Sequence, residues 1–141
     1  MSISKGFDPS LPPGKNPRPA QEECTPNQLL GALGEYIAVQ HYDEAGYRIL
    51  DLNAREGRYE IDIVALSQDM EYVFIEVKTR RSRDFGGLEA VTPKKLRHMQ
   101  RAALGWMARR KVLGAPMRFD LAEVIVGRHR ADITLVQGVD S

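Results

Sequence analysis

The fold is decided by Glu60-Ile61-Asp62-Ile63-Val64-Ala65-Leu66, the polar segment Ser67-Gln68-Asp69-Met70, and Tyr72-Val73-Phe74-Ile75-Glu76-Val77-Lys78-Thr79. Both flanks are rich in β-branched, aliphatic or aromatic residues and read as strands. The connector is too short for a crossover, so the strands are expected to pair as an antiparallel hairpin. Successive side chains in a strand alternate faces. Glu76 and Lys78 therefore share one face, and Val73, Ile75, Val77 and Thr79 the other. A hairpin centred on Asp69 sets Asp62 opposite Glu76, with Glu60, Val64 and Leu66 on the face of Asp62; a one-residue slip would reverse that. Directly opposed residues have Cβ atoms about 4.5–5.5 Å apart, where like charges destabilise the pairing. Two carboxylates so placed call for a cation, and hard oxygen ligands suit Mg²⁺ or Mn²⁺. Taken alone, Glu76 and Lys78 read more simply as an exposed pair at a strand end. The opposing Asp62 is what turns them into a candidate site, with the Lys78 ammonium available to stabilise charge developing at a phosphate.

Upstream, Thr25 offers a helix N-cap, Pro26 suits the first helical position, and Gln28 completes a capping box. A helix is predicted from about Asn27 to Ala45, its core face made of Leu29, Leu30, Leu33, Tyr36 and Ile37, with Gly46 stopping it. Tyr47 to Ala54 reads as another strand. Downstream, the loop from Arg80 to Val91 leads to a cap and first-turn proline at Thr92-Pro93, and a helix to about Lys111 buries Leu96, Met99, Ala103 and Trp106. Arg118 to Val126 and Ala131 to Val136 complete the strands. The order predicts an α/β fold in which a mixed central sheet is flanked by helices.

A chain of 141 residues that is 43% hydrophobic has room for one domain, expected at 25–138. Residues 1–24 carry Pro9, Pro12, Pro13, Pro17 and Pro19 without apolar periodicity and read as a disordered tail. A single cysteine, Cys24, forms no internal disulfide, no apolar run is long enough to span a membrane, and no secretory signal is evident, so a cytoplasmic setting is expected. The net charge of +1 conceals polarity: residues 78–111 hold eleven Lys/Arg against two acids, and the rest hold nine against seventeen. That asymmetry suggests a basic surface for an anion, although a solvated charged face is the plainer alternative.

Asp62 followed by Glu76-Val77-Lys78 on the adjacent strand, with Glu35 on a preceding helix, resembles the PD-(D/E)XK nuclease superfamily, which includes restriction endonucleases and Holliday-junction resolvases. More closely, Gly34-Glu35, the run Glu60 to Ala65, Phe74 to Arg80, and Val91-Thr92-Pro93-Lys94-Lys95 resemble the YraN-like family of uncharacterised bacterial proteins, over roughly Asn27 to Val136. The resemblance implies a restriction endonuclease-like three-layer fold. It further implies Asp62 and Glu76 as ligands of Mg²⁺ (or Mn²⁺), Lys78 as the catalytic lysine, and Glu35 as an additional acidic catalytic and metal-binding residue. Two positions depart from the patterns: Ile61 rather than proline precedes Asp62, and Tyr59 stands where the YraN-like pattern usually has glycine. Glu35 is also readable as an exposed helical glutamate, although Gly31, Ala38 and Val39 beside it would let that face approach the sheet closely. Glu60 is either a supporting group or the solvated start of its strand.

Arg80, Arg81 and Arg83 in the loop, and Lys94, Arg97 and Arg101 on the following helix, are the expected phosphate contacts. Phe85 beside Gly86-Gly87 reads as a loop anchor or a base-stacking group. His41, His98 and His129 lack zinc-site spacing and read as ordinary surface or boundary histidines, and no phosphate-cradling glycine loop is present. The resulting expectation is a Mg²⁺-dependent endonuclease-like protein acting on DNA, favoured over RNA, in branched or damaged form. The alternatives are a nucleic-acid-binding module that keeps the fold without cutting, in a repair or recombination complex, and a protein–protein adaptor using the basic helix. A homodimer is compatible with gripping a duplex.

Overall fold

A computed structural model of the chain describes residues 24–81 and 91–140. The expected tail, apart from Cys24, lies outside the described residues, as do Arg83 and Phe85. Thr25 caps the first helix, α1 (Pro26–Glu44): its hydroxyl accepts from the Gln28 backbone N–H at 3.1 Å, and Gln28 Oε1 accepts from the Thr25 N–H at 2.9 Å. Gly46, at φ +93°, terminates that helix, since only glycine adopts this conformation without strain.

Three strands follow: β1 (Arg48–Glu56), β2 (Tyr59–Leu66) and β3 (Tyr72–Arg80). The β2–β3 hairpin has the expected register, with Ile63 opposite Ile75, Val64 opposite Phe74, Ala65 opposite Val73 and Leu66 opposite Tyr72. Thr92 caps α2 (Pro93–Arg109), which crosses over to β4 (Met117–Val126), parallel to β3; β5 (Ala131–Gln137) closes the sheet in the order β1-β2-β3-β4-β5. A parallel neighbour requires such a crossover, and a helix supplies it. The sheet is therefore mixed, with β3/β4 as its parallel pair.

One face of the sheet packs on α2 through Val64, Phe74, Phe119, Met99, Ala103 and Trp106, and the other packs on α1 through Ile63, Val73, Ile75, Ala122, Ala38 and Tyr42. The result is a three-layer α/β arrangement consistent with the restriction endonuclease-like architecture. Among the described residues, no helix is long and apolar enough to cross a membrane.

The face that α1 turns to the sheet differs from the expected one. Leu29, Leu33 and Tyr36 are exposed, whereas Gly34, Ala38 and Tyr42 are buried. The cause is closeness of approach. A Cβ added at Gly34 would lie 1.8 Å from Thr79 Oγ1, so α1 meets β3 closely at its glycine, Leu29, Leu33 and Tyr36 turn away, and Leu30 and Ile37 of the expected face stay half-buried. Of the small-residue face noted around Glu35, Ala38 and Val39 pack on the sheet, whereas Gly31 faces open space.

Candidate functional site

Strands β2 and β3 stop pairing beyond Ile63 and Ile75. The register would next set Asp62 opposite Glu76, but the Asp62 carboxylate instead accepts the Val77 backbone N–H at 2.7 Å. Alternation also breaks here. Ile63 belongs to the core under α1, whereas Ile61, two residues earlier, belongs to the core under α2. On the β1 side, Leu52–Ile63 and Ala54–Ile61 are paired but Asn53 and Asp62 are not, and Asn53 has φ +50°. Asp62 thus occupies an irregularity between two ladders, and its side chain replaces a backbone acceptor.

Clefts from both sides of the sheet end on this carboxylate. One, of about 490 Å³, is lined by Arg58, Tyr59, Glu60, Asp62, Glu76, Lys95, His98 and Met99. A second, of about 290 Å³, is lined by Asn27, Leu30, Gly31, Glu35, Asp62, Val77, Lys78 and Thr79. A third brings Asp62 together with Glu35, Asn53 and Leu52. Glu76 is buried, 8% exposed, on the central strand, where an uncompensated charge is costly. Lys95 Nζ stands 3.4 Å and Lys78 Nζ 3.9 Å from Glu76 Oε1.

The acidic groups act on one another. Burial pushes the Asp62 carboxyl up to about 7, helped by the charges of Glu76, Glu35 and Glu60 and opposed by the Val77 N–H. Glu35 is also raised, by burial first and then by Glu60 and Glu76. Asn53 ties this second pair together. With its amide nitrogen toward the carboxylates, it donates to Glu35 Oε1 at 2.8 Å and Glu60 Oε1 at 3.2 Å. Asp62 is thus the residue shared by a cleft that holds Glu76 and Glu60 and a cleft that holds Glu35 and Lys78.

The expected phosphate contacts divide. Lys94, Arg97 and Arg101 are exposed along α2, and with Lys95 their charges, after burial, hold the His98 imidazole below its ordinary range. Arg81 is exposed, whereas the Arg80 guanidinium stands 3.8 Å from Glu123, both side chains largely shielded. Arg80 is thus tied to β4 through Glu123.

The donor chemistry suits a divalent cation: Asp62 and Glu76 are hard oxygen donors in the wall of one cleft, and their mutual repulsion would be relieved by a positive charge. Mg²⁺ characteristically takes one or two protein carboxylates and completes its shell with water and phosphate. Among the described residues, no three His, Cys, Asp or Glu side chains form a ready-made metal-binding group.

Sequence reasoning gave no role to Asn53 and no separate one to Lys95, and it set His98 with the basic residues of α2 without foreseeing its stack on Tyr59, at 4.4 Å in the wall of the larger cleft. Signals for two of them exist. Asn is among the few residues that tolerate positive φ, so an Asn inside an apolar strand marks an irregularity. Two lysines in the first turn of α2, with no acid there, oppose the helix dipole and suggest a partner outside the helix. The Tyr59–His98 stack joins a strand to a helix and has no local signal.

The profile of the Uncharacterised protein family UPF0102 matches residues 34–124, the segment that contains Glu35, Asn53, Asp62, Glu76, Lys78 and Lys95. A UPF0102 protein of Corynebacterium efficiens is 41% identical over 102 residues, covering 72% of this chain and 82% of the relative. One from Mycobacterium avium is 43% identical over 113 residues (78% and 88%), and one from Pelobacter propionicus is 39% identical over 121 (82% and 86%).

Proposed function

The chain belongs to the Uncharacterised protein family UPF0102, and on that premise we propose that it is a Mg²⁺- or Mn²⁺-dependent nuclease hydrolysing phosphodiester bonds in branched or damaged DNA. One observation carries the reading: Asp62, whose carboxyl is raised to about 7 by burial and by three acidic neighbours, ends clefts shared with Glu76 on one side and with Glu35 and Lys78 on the other. Carboxylates held against one another in this way are typical of sites that work on charge.

Asp62 and Glu76 would hold the cation, with Glu35 beside them. When bound, the cation would neutralise the carboxylates and polarise the phosphodiester. Lys78, half-exposed at the rim, presents an ammonium to the non-bridging oxygens, where its charge favours the more anionic transition state over the ground state. Lys95, 3.4 Å from Glu76, would be free to pair with the phosphate once a cation neutralised that carboxylate. Lys94, Arg97 and Arg101 hold the flanking backbone without reading sequence.

The test is nicking of linear, flap, fork and four-way DNA with Mg²⁺ or Mn²⁺. Cleavage by the wild type, reduced at least about 100-fold in Lys78→Ala, is expected. Product formation that is absent throughout, or equal in wild type and variant, overturns the reading. A second reading, a non-cutting nucleic-acid-binding module of a repair or recombination complex, draws on the two lysines beside Glu76, which supply positive charge where a cation otherwise would. Salt-dependent DNA binding without cleavage is its signature.

A further inference from the structure

The larger cleft has walls of two kinds. Asp62, Glu76 and Lys95 form an ionic wall, and the stacked rings of Tyr59 and His98 form an aromatic one, with Arg58 exposed at the edge. Metal and phosphate chemistry needs only the first. Tyr59 is braced from behind by the α2-side core, while His98 remains half-exposed on the surface of α2, so the stack is anchored at one end and accessible at the other. Glu60 adds a third carboxylate to the first wall, which therefore meets an anionic group through Lys95 and a bridging cation; a ligand matching both walls carries such a group beside a planar ring. The cleft volume, about 490 Å³, is within the range of small-molecule sites and accommodates one nucleotide.

We propose that this cleft receives the base of an unpaired nucleotide next to the phosphate held at Asp62 and Glu76, with the Tyr59–His98 stack as its platform. The proposal rests on the nuclease reading for the position of the phosphate and deepens it by specifying the substrate class as single-stranded DNA, including the unpaired arms of branched DNA. In an intact duplex both faces of each base are stacked on neighbours, whereas an unpaired base offers a free face to an aromatic group. Such stacking tolerates any base, in keeping with a cationic helix that contacts backbone alone.

The test measures binding by the full chain with Ca²⁺, a hard cation for the carboxylates, in place of Mg²⁺, and electrophoresis of each strand confirms that it stays intact during the measurement. Three probes are compared: an oligo-dT strand, an abasic strand with the same number of phosphates, and a duplex of that length. Oligo-dT is expected to bind about tenfold more tightly than the abasic strand, and His98→Ala and Tyr59→Leu to abolish that difference while Tyr59→Phe keeps it. Since Tyr59 also touches the core, His98→Ala, at a surface position of α2, supplies the result if Tyr59→Leu unfolds. Equal affinity of the wild type for oligo-dT and abasic strands, or a base-dependent gain that survives His98→Ala undiminished, overturns the inference. Base-dependent binding without cleavage in Mg²⁺ or Mn²⁺ leaves the cleft standing and removes the nuclease reading. Cleavage without base-dependent binding does the reverse.

Discussion

The carboxylate of Asp62 accepts the backbone N–H of Val77 at 2.7 Å, at the place where β2 and β3 cease to pair. A ladder hydrogen bond has thus been exchanged for a side-chain one. The exchange fixes the carboxylate rotamer, yet leaves the group among Glu76, Glu35 and Glu60.

This placement makes stability pH-dependent. Asp62 titrates near 3.8 when unfolded and near 7 when folded, so between those values the folded state binds more protons. Its contribution to stability is greatest at the acid end and is lost as pH rises towards about 7. Asp62→Asn is therefore expected to raise Tm relative to wild type at pH 8, with a smaller difference near pH 4. Mg²⁺, which competes with the proton, should raise wild-type Tm more at pH 8 than at pH 5.5 and leave Asp62→Asn nearly unmoved. Melting curves at the two pH values check both; a Tm difference that does not vary with pH contradicts the assignment.

Gly34→Ala should be destabilising although alanine favours helix. The new Cβ would meet Thr79 Oγ1 at 1.8 Å and Thr79 Cβ at 2.7 Å, so α1 must withdraw or β3 shift. Overpacking of this kind costs about 1–3 kcal/mol. Displacing α1 also moves Glu35 on the next residue. Denaturant unfolding measures the cost, and adding Thr79→Ala, which removes two of the three clashing atoms, should restore part of it.

Asn53 offers a separation of backbone from side chain. Asn53→Gly keeps the positive φ without strain but removes the amide that bridges Glu35 and Glu60. Loss of such a supporting contact typically costs about 10–100-fold in metal affinity or activity. Mn²⁺ titration and the nicking assay should both register it, with melting close to wild type. Asn53→Asp, which sets a third carboxylate against the pair, is expected to be worse than Asn53→Gly in both assays.

Replacing Lys94, Arg97 and Arg101 with Ala tests the exposed face of α2. Each phosphate contact contributes about 0.9 to the slope of log affinity against log salt for duplex DNA. The triple variant should therefore bind DNA more weakly and with a shallower salt dependence, while its unfolding is little changed because these side chains lie outside the core. An unchanged slope would remove the helix from the interface.

A buried ionic cluster away from the clefts ties α1 to β4. Asp120, fully buried, accepts two bonds from Arg118 at 2.8 and 2.9 Å, one from the Tyr42 hydroxyl at 2.9 Å and one from the Gly138 N–H at 3.2 Å. These contacts, led by the Asp120 hydrogen bond, raise the Arg118 guanidinium further, and burial followed by the Asp120 charge raises the Tyr42 phenol. Asp120→Asn leaves Arg118 with Glu71, at 3.3 Å, as its one carboxylate partner among the described residues and is expected to be destabilising. Chemical denaturation would reveal the loss.

The sequence by itself determined the elements and the hairpin register. Caps at Thr25 and Thr92, the stop at Gly46, and the strand-rich flanks of Asp69 act over a few residues, and local chemistry is enough to read them. Continued one step, the hairpin register points Asp62 at Glu76, but the pairing ends at Ile63 and Ile75 and the Asp62 carboxylate accepts the Val77 N–H instead, which the turn alone does not predict. Only the tertiary structure decided which side of α1 meets the sheet. Hydrophobic periodicity favours Leu29, Leu33 and Tyr36, but close packing on Thr79 selects Gly34 and Ala38, and that distance is set by β3 rather than by the helix. The same holds for Lys95 beside Glu76, for Asn53 between Glu35 and Glu60, and for the stack of Tyr59 on His98. Each joins elements far apart in the chain, so its geometry exists only once the layers have closed.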